Sequence, residues 1–170
     1  SSGVRQWGTY TYGNPVACTT DQNGDVYIAG EFPVNFSGGT TAIIATPGCH
    51  QSTSGGNQDG FIIKFSGSGS RIWGTYYGGA GGESITSIAV DPNNNLYVAG
   101  HASTTQGTII ATAGSHQFSY GGYQDAFLAK FNSSGVRLWS TYYDGPDYEY
   151  GWGCCTDPSG NVYLAGTQVN

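Results

Sequence analysis

Short apolar and aromatic segments recur along the chain, and each is bounded by glycine, serine, threonine, asparagine or proline. β-branched and aromatic residues favour strands, whereas the sequence contains no long stretch of good helix formers. A tight turn around Pro92 and a short hairpin at residues 132–135 each join two such segments. The pattern therefore predicts an all-β fold with almost no helix, with strands in this part of the chain at residues 84–91, 95–102, 125–132 and 136–143.

The same pattern repeats with a period of about 66 residues, and a fixed period of this kind indicates a repeat architecture. Trp7, Trp73 and Trp139 are evenly spaced at this period in matching surroundings, and more than half of residues 46–79 are identical to residues 112–145. Four antiparallel strands per unit are typical of a β-propeller blade. A single blade leaves its faces exposed, so it must pack against neighbouring blades.

The repeat divides the chain into units. We expect one β-propeller segment over residues 1–170, with one blade at about residues 11–78, a second at about 79–144, and an incomplete third from residues 1–10 and 145–170. Residues 1–10 match the fourth strand of the repeat. Because a closed ring normally has at least four blades, we expect a partial ring that is completed by other blades of the same chain or of a neighbouring chain.

The composition excludes two classes of partner. The net charge is -6 and charged residues make up 9% of the chain. Nucleic acids and anionic membrane surfaces attract clustered lysine and arginine, but the five basic residues here all occupy repeated positions. No apolar run approaches the roughly 20 residues that span a bilayer. We therefore expect neither nucleic-acid binding nor membrane insertion.

The chain has an even number of cysteines, Cys18, Cys49, Cys154 and Cys155. Their spacing fits neither zinc ligation nor a Cys-x-x-Cys redox motif. We interpret them as buried small apolar residues, with room for one disulfide. Cys154 and Cys155 are adjacent and would point to opposite faces of a strand, so they are not expected to pair with each other.

Two pairs of polar residues recur at the repeat spacing. His50 and His116 are each followed by glutamine, and Asp59 and Asp125 each precede the third strand of their blade. Because repetition indicates a shared structural role, we interpret the histidines as hydrogen-bonding a long loop to its own blade, and not as metal ligands. The aspartates are interpreted as turn-capping carboxylates. Their expected ionic partners are the repeated basic residues Lys64, Lys130, Arg71 and Arg137.

The long loops, at residues 31–58 and 101–124, fall on one face because strand direction alternates along a blade. On that face the segment from Tyr143 to Trp152 replaces a glycine-rich segment from Tyr77 to Thr86. Its carboxylates and loop carbonyls could bind Ca²⁺, its aromatic rings could stack on sugars, or it could be ordinary loop sequence. Ligand binding would involve its non-repeated residues, which are Asp144, Asp147, Tyr148, Glu149, Tyr150 and Trp152.

Three motifs resemble the SBBP (beta-propeller) repeat. They are Trp-Gly-Thr-Tyr-Tyr-Gly-Gly at residues 73–79, Ile-Ala-Val-Asp-Pro-Asn-Asn-Asn-Leu-Tyr-Val-Ala-Gly at residues 88–100, and Gly-Gly-Tyr-Gln-Asp-Ala-Phe-Leu-Ala-Lys-Phe-Asn at residues 121–132. The resemblance covers essentially the whole chain. It implies a β-propeller in a bacterial extracellular protein, similar to Bacteroidota cargo of the type IX secretion system, and it implies no particular ligand or activity.

We therefore expect a secreted or cell-surface structural or adhesion module whose partners are other blades, secretion or cell-surface machinery, and a protein or glycan ligand. A carbohydrate-binding propeller is the first alternative, and a glycosidase or lyase propeller is the second. Paired carboxylates could serve a glycosidase, but one acidic cluster is apparent and no Ser–His–Asp or Cys–His arrangement stands out. No catalytic residue is predicted, and Ca²⁺ is the one cofactor weighed.

Overall fold

The computed structural model describes residues 3–33, 44–103 and 107–170. The predicted long loops include residues 34–43 and 104–106, which lie outside these ranges. No helix within the ranges has the length and apolar character needed to cross a lipid bilayer. The elements in chain order are β1 (Asn14–Thr20), β2 (Val26–Pro33), β3 (Gln58–Phe65), β4 (Arg71–Tyr77), β5 (Glu83–Val90), β6 (Leu96–Ala102), α1 (Gly107–Ile110), β7 (Asp125–Phe131), β8 (Arg137–Tyr143), β9 (Tyr148–Thr156) and β10 (Val162–Val169).

The strands form three antiparallel sheets that follow the order of the chain. β1–β4 form one four-stranded sheet, β5–β8 form a second, and β9 pairs with β10. The bounds of β5–β8 agree with the predicted strands to within one residue at each end. The all-β prediction is confirmed, and repeated four-stranded antiparallel sheets are consistent with a propeller-like fold. Within the described ranges the sheets do not close into a ring.

Residues 3–10 do not form the strand that the repeat predicts. The fourth strand of each complete sheet is held by backbone hydrogen bonds to the third, and no described strand pairs with residues 3–10. Trp7 nevertheless reaches the first sheet, where its indole Nε1 donates a hydrogen bond to the carbonyl oxygen of Gly67 at 3.0 Å. The side chain is therefore placed on the β3–β4 turn although its backbone is not in a sheet.

An aspartate closes each turn between a first and a second strand. In the β5–β6 turn, Asp91 Oδ1 accepts hydrogen bonds from the backbone N–H groups of Asn93 and Asn95, both at 2.9 Å. Asp21 and Asp157 accept the equivalent bonds in the β1–β2 and β9–β10 turns. A short polar side chain thus takes up N–H groups that the tight turn leaves without a partner.

The lysines pair with these turn aspartates, so the prediction that they pair with the aspartates before the third strands is wrong. Lys64 Nζ lies 3.0 Å from both Asp21 Oδ2 and Asp25 Oδ2. Lys130 Nζ lies 3.5 Å from Asp91 Oδ2. These three ion pairs hold β3 and β7 to the first turn of their own sheets.

Strand register explains this choice of partner. Lys64 lies opposite Tyr27 across β2 and β3. Its amine lies 4.9 Å from the centre of the Tyr27 ring, on the side of the turn. Burial alone would lower the pKa of Lys64, but hydrogen bonds to Tyr27, Asp25 and Asp21 raise it above the usual lysine value. The lysine is therefore held in its charged form.

The first two sheets pack against each other through one apolar cluster. Tyr77 of β4 lies in this cluster and donates its hydroxyl to the carbonyl oxygen of Ile110 at 2.9 Å. Burying a large apolar side chain contributes roughly 1.5–3 kcal/mol, so the packing between sheets is a major source of stability. The other large members of the cluster include Tyr27, Ile62, Trp73, Ile85, Ile88, Phe127 and Phe131.

The long loops cover the outer edge of each four-stranded sheet. The backbone N–H of Thr46 donates to the carbonyl of Gly74 on β4 at 3.0 Å, and the N–H of Tyr76 donates to the carbonyl of Gln51 at 3.1 Å. The same two bonds recur one repeat later on β8, at 2.9 and 3.0 Å. The outer strand therefore has partners on both sides.

The four cysteines are free thiols. Cys18 and Cys155 are exposed, so the expectation that the cysteines are buried is wrong for these two, while Cys49 and Cys154 are half-buried. The position in β5 that corresponds to Cys18 is Ile88, which is buried against the first sheet. Within the described chain no sheet packs on that side of β1, so Cys18 stays exposed.

Candidate functional site

Four aromatic rings form a row along β9 and the loop before β7. The rings of Tyr148 and Tyr150 are parallel to within 7° with centres 6.5 Å apart, and Trp152 is within 10° of Tyr150 at 5.4 Å. Tyr123 extends the row, 5.2 Å from Tyr148. Tyr148, Trp152 and Tyr123 are 41%, 52% and 67% exposed, so a ligand can reach this aromatic row.

Strand geometry places these rings together. Alternate residues of a strand point to the same face, which aligns Tyr148 and Tyr150. Trp152 is the extra residue of a β-bulge, since Gly151 and Gly153 pair with consecutive residues of β10, and the bulge brings its ring beside that of Tyr150. The ring of His101, on β6, meets Tyr150 and Trp152 edge-on at 5.1 and 5.8 Å. The aromatic row therefore packs against the second sheet through His101.

The structure brings three of the six candidate ligand-binding residues together and separates the other three from them. Tyr148, Tyr150 and Trp152 belong to the aromatic row. Glu149 points to the opposite face of β9, where it is 8% exposed. The side chain of Asp144 approaches that of Asp125, while the backbone carbonyl of Asp147 accepts a hydrogen bond from the N–H of Tyr123 at 3.0 Å.

Glu149 is a repeated residue, contrary to the interpretation from sequence. Glu83 lies one repeat earlier, and both glutamates are buried. Asp59 and Asp125 are separated by the same interval and are fully buried. Each junction between consecutive sheets thus contains one aspartate and one glutamate. Applying the repeat interval to Glu83 would have found this relationship. We call Asp59, Glu83, Asp125 and Glu149 the junction carboxylates.

At the first junction two carboxylates approach each other. Asp59 Oδ2 accepts the backbone N–H of Gly55 at 2.7 Å, and Glu83 Oε2 accepts that of Gly79 at 2.6 Å. Asp59 Oδ1 and Glu83 Oε2 are each 2.6 Å from the position that a Cβ on Gly78 would occupy. The two oxygens are therefore no further apart than twice that distance, and a side chain at residue 78 would collide with both.

At the second junction Asp125 accepts backbone N–H groups as Asp59 does, and Asp144 lies beside it. Asp125 accepts the backbone N–H groups of Gly121 at 2.9 Å and Gly122 at 3.1 Å. Asp144 stands at the position of Gly78 in the preceding unit and approaches Asp125. The interpretation of the aspartates as capping groups agrees with these bonds, because each carboxylate accepts N–H groups from the loop before its strand.

Several oxygens of the junction carboxylates have no hydrogen-bond partner. These are Asp59 Oδ1, Glu83 Oε1 and both carboxylate oxygens of Glu149. The lysine–aspartate ion pairs found in the described part of the chain include none of the junction carboxylates. An unsatisfied buried polar group is costly, by about 1–3 kcal/mol for a neutral group and more for a charged one.

Burial also changes the acidity of three buried carboxylates, Asp59, Glu83 and Asp125. It raises the pKa of Glu83 to about 7, against the hydrogen bond from Gly79 and with help from the nearby charge of Asp59. Burial likewise raises the pKa of Asp59, although backbone N–H groups oppose the change. The pKa of Asp125 is raised by burial and, to a smaller extent, by Asp144. Each junction therefore disfavours uncompensated negative charge.

His50 contributes its ring, and the hydrogen bonds expected of it are made by its neighbour. The ring lies 5.9 Å from Tyr77 and 5.7 Å from Phe131, between the first two sheets. Gln51 Oε1 accepts the backbone N–H of Gly78 at 3.0 Å. The loop is thus tied to its blade by glutamine, while the histidine packs against aromatic rings.

The second copy has the same division of roles. The ring of His116 lies 5.3 Å from that of Tyr143. Gln117 Oε1 accepts the backbone N–H of Asp144 at 3.1 Å. The hydrogen-bonding role that the sequence suggested for the histidines therefore belongs to the glutamine that follows each of them.

Two of the repeated tryptophans contact a turn in the next unit, and the third packs within its own sheet. Trp73 Nε1 donates a hydrogen bond to the carbonyl oxygen of Ser133 at 3.1 Å. One repeat earlier, Trp7 Nε1 donates the equivalent bond to the carbonyl oxygen of Gly67. Trp139 lies edge-on to Tyr97 with ring centres 6.1 Å apart. These side chains serve packing within and between sheets.

Comparison with known proteins supports a propeller repeat. Residues 72–106 match the family model described as a beta-propeller repeat, SBBP. An uncharacterized WD repeat-containing protein of Acanthamoeba polyphaga mimivirus is 32% identical over 83 residues, which is 48% of this chain and 6% of that protein. The chain thus spans a small fraction of this relative. The sheets and both matches support a propeller-like repeat fold, and residues 72–106 are the part of the chain that is similar to the SBBP beta-propeller repeat.

Proposed function

We propose that this chain is a structural or adhesion module of a secreted or cell-surface bacterial protein, similar to cargo of the type IX secretion system. The observation that carries the proposal is the use made of the repeated side chains. Trp73 joins two sheets, Asp91 closes a turn and Gln51 holds a loop to its blade. Side chains that recur with the repeat therefore serve assembly of the blades.

The free edge of β10 supports another blade strand as a partner. β6 pairs with β5 on one side and β7 on the other, whereas β10 pairs with β9 alone among the described strands. A groove of about 510 Å³ lies beside β10, between Val162 and Leu164 of that strand and Ala126 and Tyr143 of the second sheet. A third strand occupies this position in the complete sheets. We propose that a strand of the same or a neighbouring chain fills the groove.

Cell fractionation tests the proposed location. An antibody raised against the purified chain would be applied to intact cells, lysate and culture medium of the source organism. We expect signal on intact cells or in the medium, and loss of that signal in a strain without a functional type IX translocon. Confinement of the protein to the cell interior would contradict the proposal.

Carbohydrate binding is the second candidate, and the aromatic row favours it. Exposed tyrosine and tryptophan rings present apolar surface beside polar groups, as sugar sites require. A glycan array tests this, with Tyr148→Ala and Trp152→Ala expected to reduce binding at least tenfold. Tyr10→Ala is the matched control, because Tyr10 is fully exposed and lies outside the aromatic row. An array without any bound glycan rejects this candidate.

We propose no catalytic role for the chain. The groups best suited to acid–base chemistry are the junction carboxylates, but Asp59 and Glu83 have no exposed surface. A general acid or base must come within hydrogen-bonding distance of its substrate. Assays with aryl glycosides and with uronic-acid polysaccharides are expected to show no turnover. Turnover that Glu149→Gln abolishes would contradict this proposal.

A further inference from the structure

We propose that the open side of β10 binds a β-hairpin of a partner segment, and that Gly166, Asp157 and Trp139 recognise a phenylalanine, a lysine and a turn carbonyl of that hairpin. This inference rests on the proposed structural role of the chain and adds the chemistry of the partner. The hairpin takes the place that β7 and β8 occupy in the second sheet, where β6 is paired on both sides. Its first strand pairs antiparallel with β10, as in strand addition to an open sheet edge.

The first argument is a turn aspartate that lacks its lysine. In the second sheet, Lys130 Nζ lies 3.5 Å from Asp91 Oδ2 and 4.9 Å from the centre of the Tyr97 ring. The β9–β10 turn contains the same aspartate and tyrosine already joined, since the Tyr163 hydroxyl donates to Asp157 Oδ2 at 3.0 Å. None of the ion pairs in the described chain includes Asp157. Tyr163 is 54% exposed, whereas Tyr97 is 2% exposed beneath its lysine.

The second argument is an uncovered glycine. Gly100 of β6 lies opposite Phe127 of β7, and two ring carbons of Phe127 are 3.0 Å from the position that a Cβ on Gly100 would occupy. The phenylalanine ring thus covers the glycine, which is buried. Gly166 is the corresponding residue of β10, but it is exposed, and the atoms nearest to the same point belong to β9. An aromatic ring of the partner can therefore cover Gly166.

The third argument is an indole without a turn to bind. Trp73 donates its N–H to the Ser133 carbonyl, and the cavity of about 300 Å³ beside Trp73 is closed in part by Ser134 and Gly135 of the same turn. The cavity beside Trp139 is larger, at about 440 Å³, and no residue of a following turn lines it. Within the described ranges the Trp139 indole N–H donates no hydrogen bond, in contrast to the two preceding copies. A hairpin turn can therefore dock at Trp139.

The three contacts share one register. In both complete sheets the phenylalanine, the lysine and the turn carbonyl follow one another at intervals of three residues. They are Phe61, Lys64 and Gly67 in the first sheet and Phe127, Lys130 and Ser133 in the second. Because the three open positions on β8–β10 recur at the same repeat spacing, one strand followed by a tight turn can reach all of them together.

The partner is a hairpin with the pattern Phe-x-x-Lys in its first strand, and not a second copy of this chain. The hairpins of the chain that have this pattern are already built into their own sheets, where Lys64 and Lys130 pair with turn aspartates. Charge complementarity to Asp157 selects the lysine. The groove is otherwise apolar at Val162 and Leu164, whose counterparts in β6 are fully buried. Apolar residues of the partner strand can therefore fill the rest of the groove.

Fluorescence anisotropy of a labelled synthetic peptide with the sequence of residues 121–143, titrated with the full chain, tests the proposal. We expect saturable binding, and at least tenfold weaker binding of peptides that carry Lys130→Gln or Phe127→Ala, because each loses one recognised group. Equal binding of all three peptides would overturn the recognition proposed here and leave strand addition to β10 intact. If no peptide binds, strand addition is rejected as well, whereas the proposed cellular location depends on the fractionation experiment alone.

Variants of the chain identify the partner of the lysine. Asp157→Asn keeps an oxygen for the turn N–H groups but removes the charge, so it should bind the unmodified peptide at least tenfold more weakly and no longer distinguish it from the Lys130→Gln peptide. Asp25→Asn is the matched control, because it removes a charge from the first sheet and introduces the residue that Asn161 provides in the β9–β10 turn. Continued discrimination by Asp157→Asn would show that another group receives the lysine. Sedimentation of the chain alone should show a monomer, and a dimer that the peptide dissociates would make a second copy the occupant and overturn the proposal.

Discussion

Trp73 Nε1 donates a hydrogen bond to the carbonyl oxygen of Ser133 at 3.1 Å, which joins β4 of the first sheet to the β7–β8 turn of the second. The indole covers Gly135, where an added Cβ would lie 3.0 Å from a ring carbon. Trp7 makes the same bond to the preceding copy of this turn. The tryptophan of one unit therefore holds the next unit in place.

Gly135→Ala should destabilise the protein more than Gly160→Ala. The two glycines have φ values of 83° and 82°, so alanine costs about 1–2 kcal/mol of backbone strain at either position. At Gly135 the new methyl group also lies 3.0–3.2 Å from ring carbons of Trp73, so the indole must shift by a few tenths of an ångström, whereas nothing lies within 4 Å of such a group at Gly160. We expect this crowding to add about 1 kcal/mol at Gly135. Urea unfolding measures the difference. Equal losses would show that the indole moves aside freely.

Lys64→Met should lower the free energy of unfolding by about 3–5 kcal/mol, because it leaves two aspartates near a buried position without their cation. Lys130→Met is the matched variant. Lys130 is more exposed and has one aspartate partner at 3.5 Å, so its loss should be smaller. Denaturant titration of both variants provides the test, and a larger effect at Lys130 would contradict the assignment.

His50 should make the protein less stable in acid. Burial lowers the pKa of His50 to about 4 from 6.5, and the charge of Arg137 contributes to the decrease. Stability from the neutral ring is therefore complete above the unfolded value and is lost as pH falls from 6.5 through 4. Since the ring is partly exposed, we expect a loss of about 1–2 kcal/mol.

The variant His50→Phe keeps an aromatic ring between Tyr77 and Phe131 but cannot be protonated. Its unfolding free energy should fall less than that of the unmodified chain between about pH 7 and pH 4.5. His116→Phe controls for the change of ring at the equivalent position. If the unmodified chain and His50→Phe show the same dependence on pH, another group is responsible.

Thiol labelling should distinguish the adjacent cysteines. Cys155 is exposed, whereas burial raises the pKa of Cys154 and its Sγ lies 3.7 Å from Ser87 Oγ. Because the thiolate is the reactive form, Cys155 should react with iodoacetamide at least tenfold faster than Cys154. Peptide mass spectrometry after timed labelling measures both rates. Comparable rates would indicate that β9 separates from the second sheet.

The strands of the central unit could be predicted closely because local chemistry marks their ends. The turn that begins at Asp91 and the hairpin at residues 132–135 leave little freedom in where β5–β8 start and stop. The strand expected at residues 3–10 failed because a strand needs a paired neighbour as well as a suitable sequence. Pattern alone carries no information about that neighbour.

The contacts of the charged residues were also hard to predict from sequence, because they depend on which strands lie side by side. The partner of Lys64 depended on which strand lies opposite it, and two sets of aspartates were equally suitable by sequence. The separation of Glu149 from Tyr148 and Tyr150 follows from strand alternation, once β9 is known to begin at Tyr148. Glu83 does not stand out in the sequence, because residues 77–86 are glycine-rich and differ from residues 143–152 at most positions.

The loops that cover β4 and β8 should limit aggregation of the protein at high concentration. A bare outer strand offers amide and carbonyl groups to any extended chain and is a common starting point for aggregation. Thr46 and Gln51, and their counterparts Thr112 and Gln117, already bind along that row. Fibril growth from β4 or β8 would first have to strip these loops away.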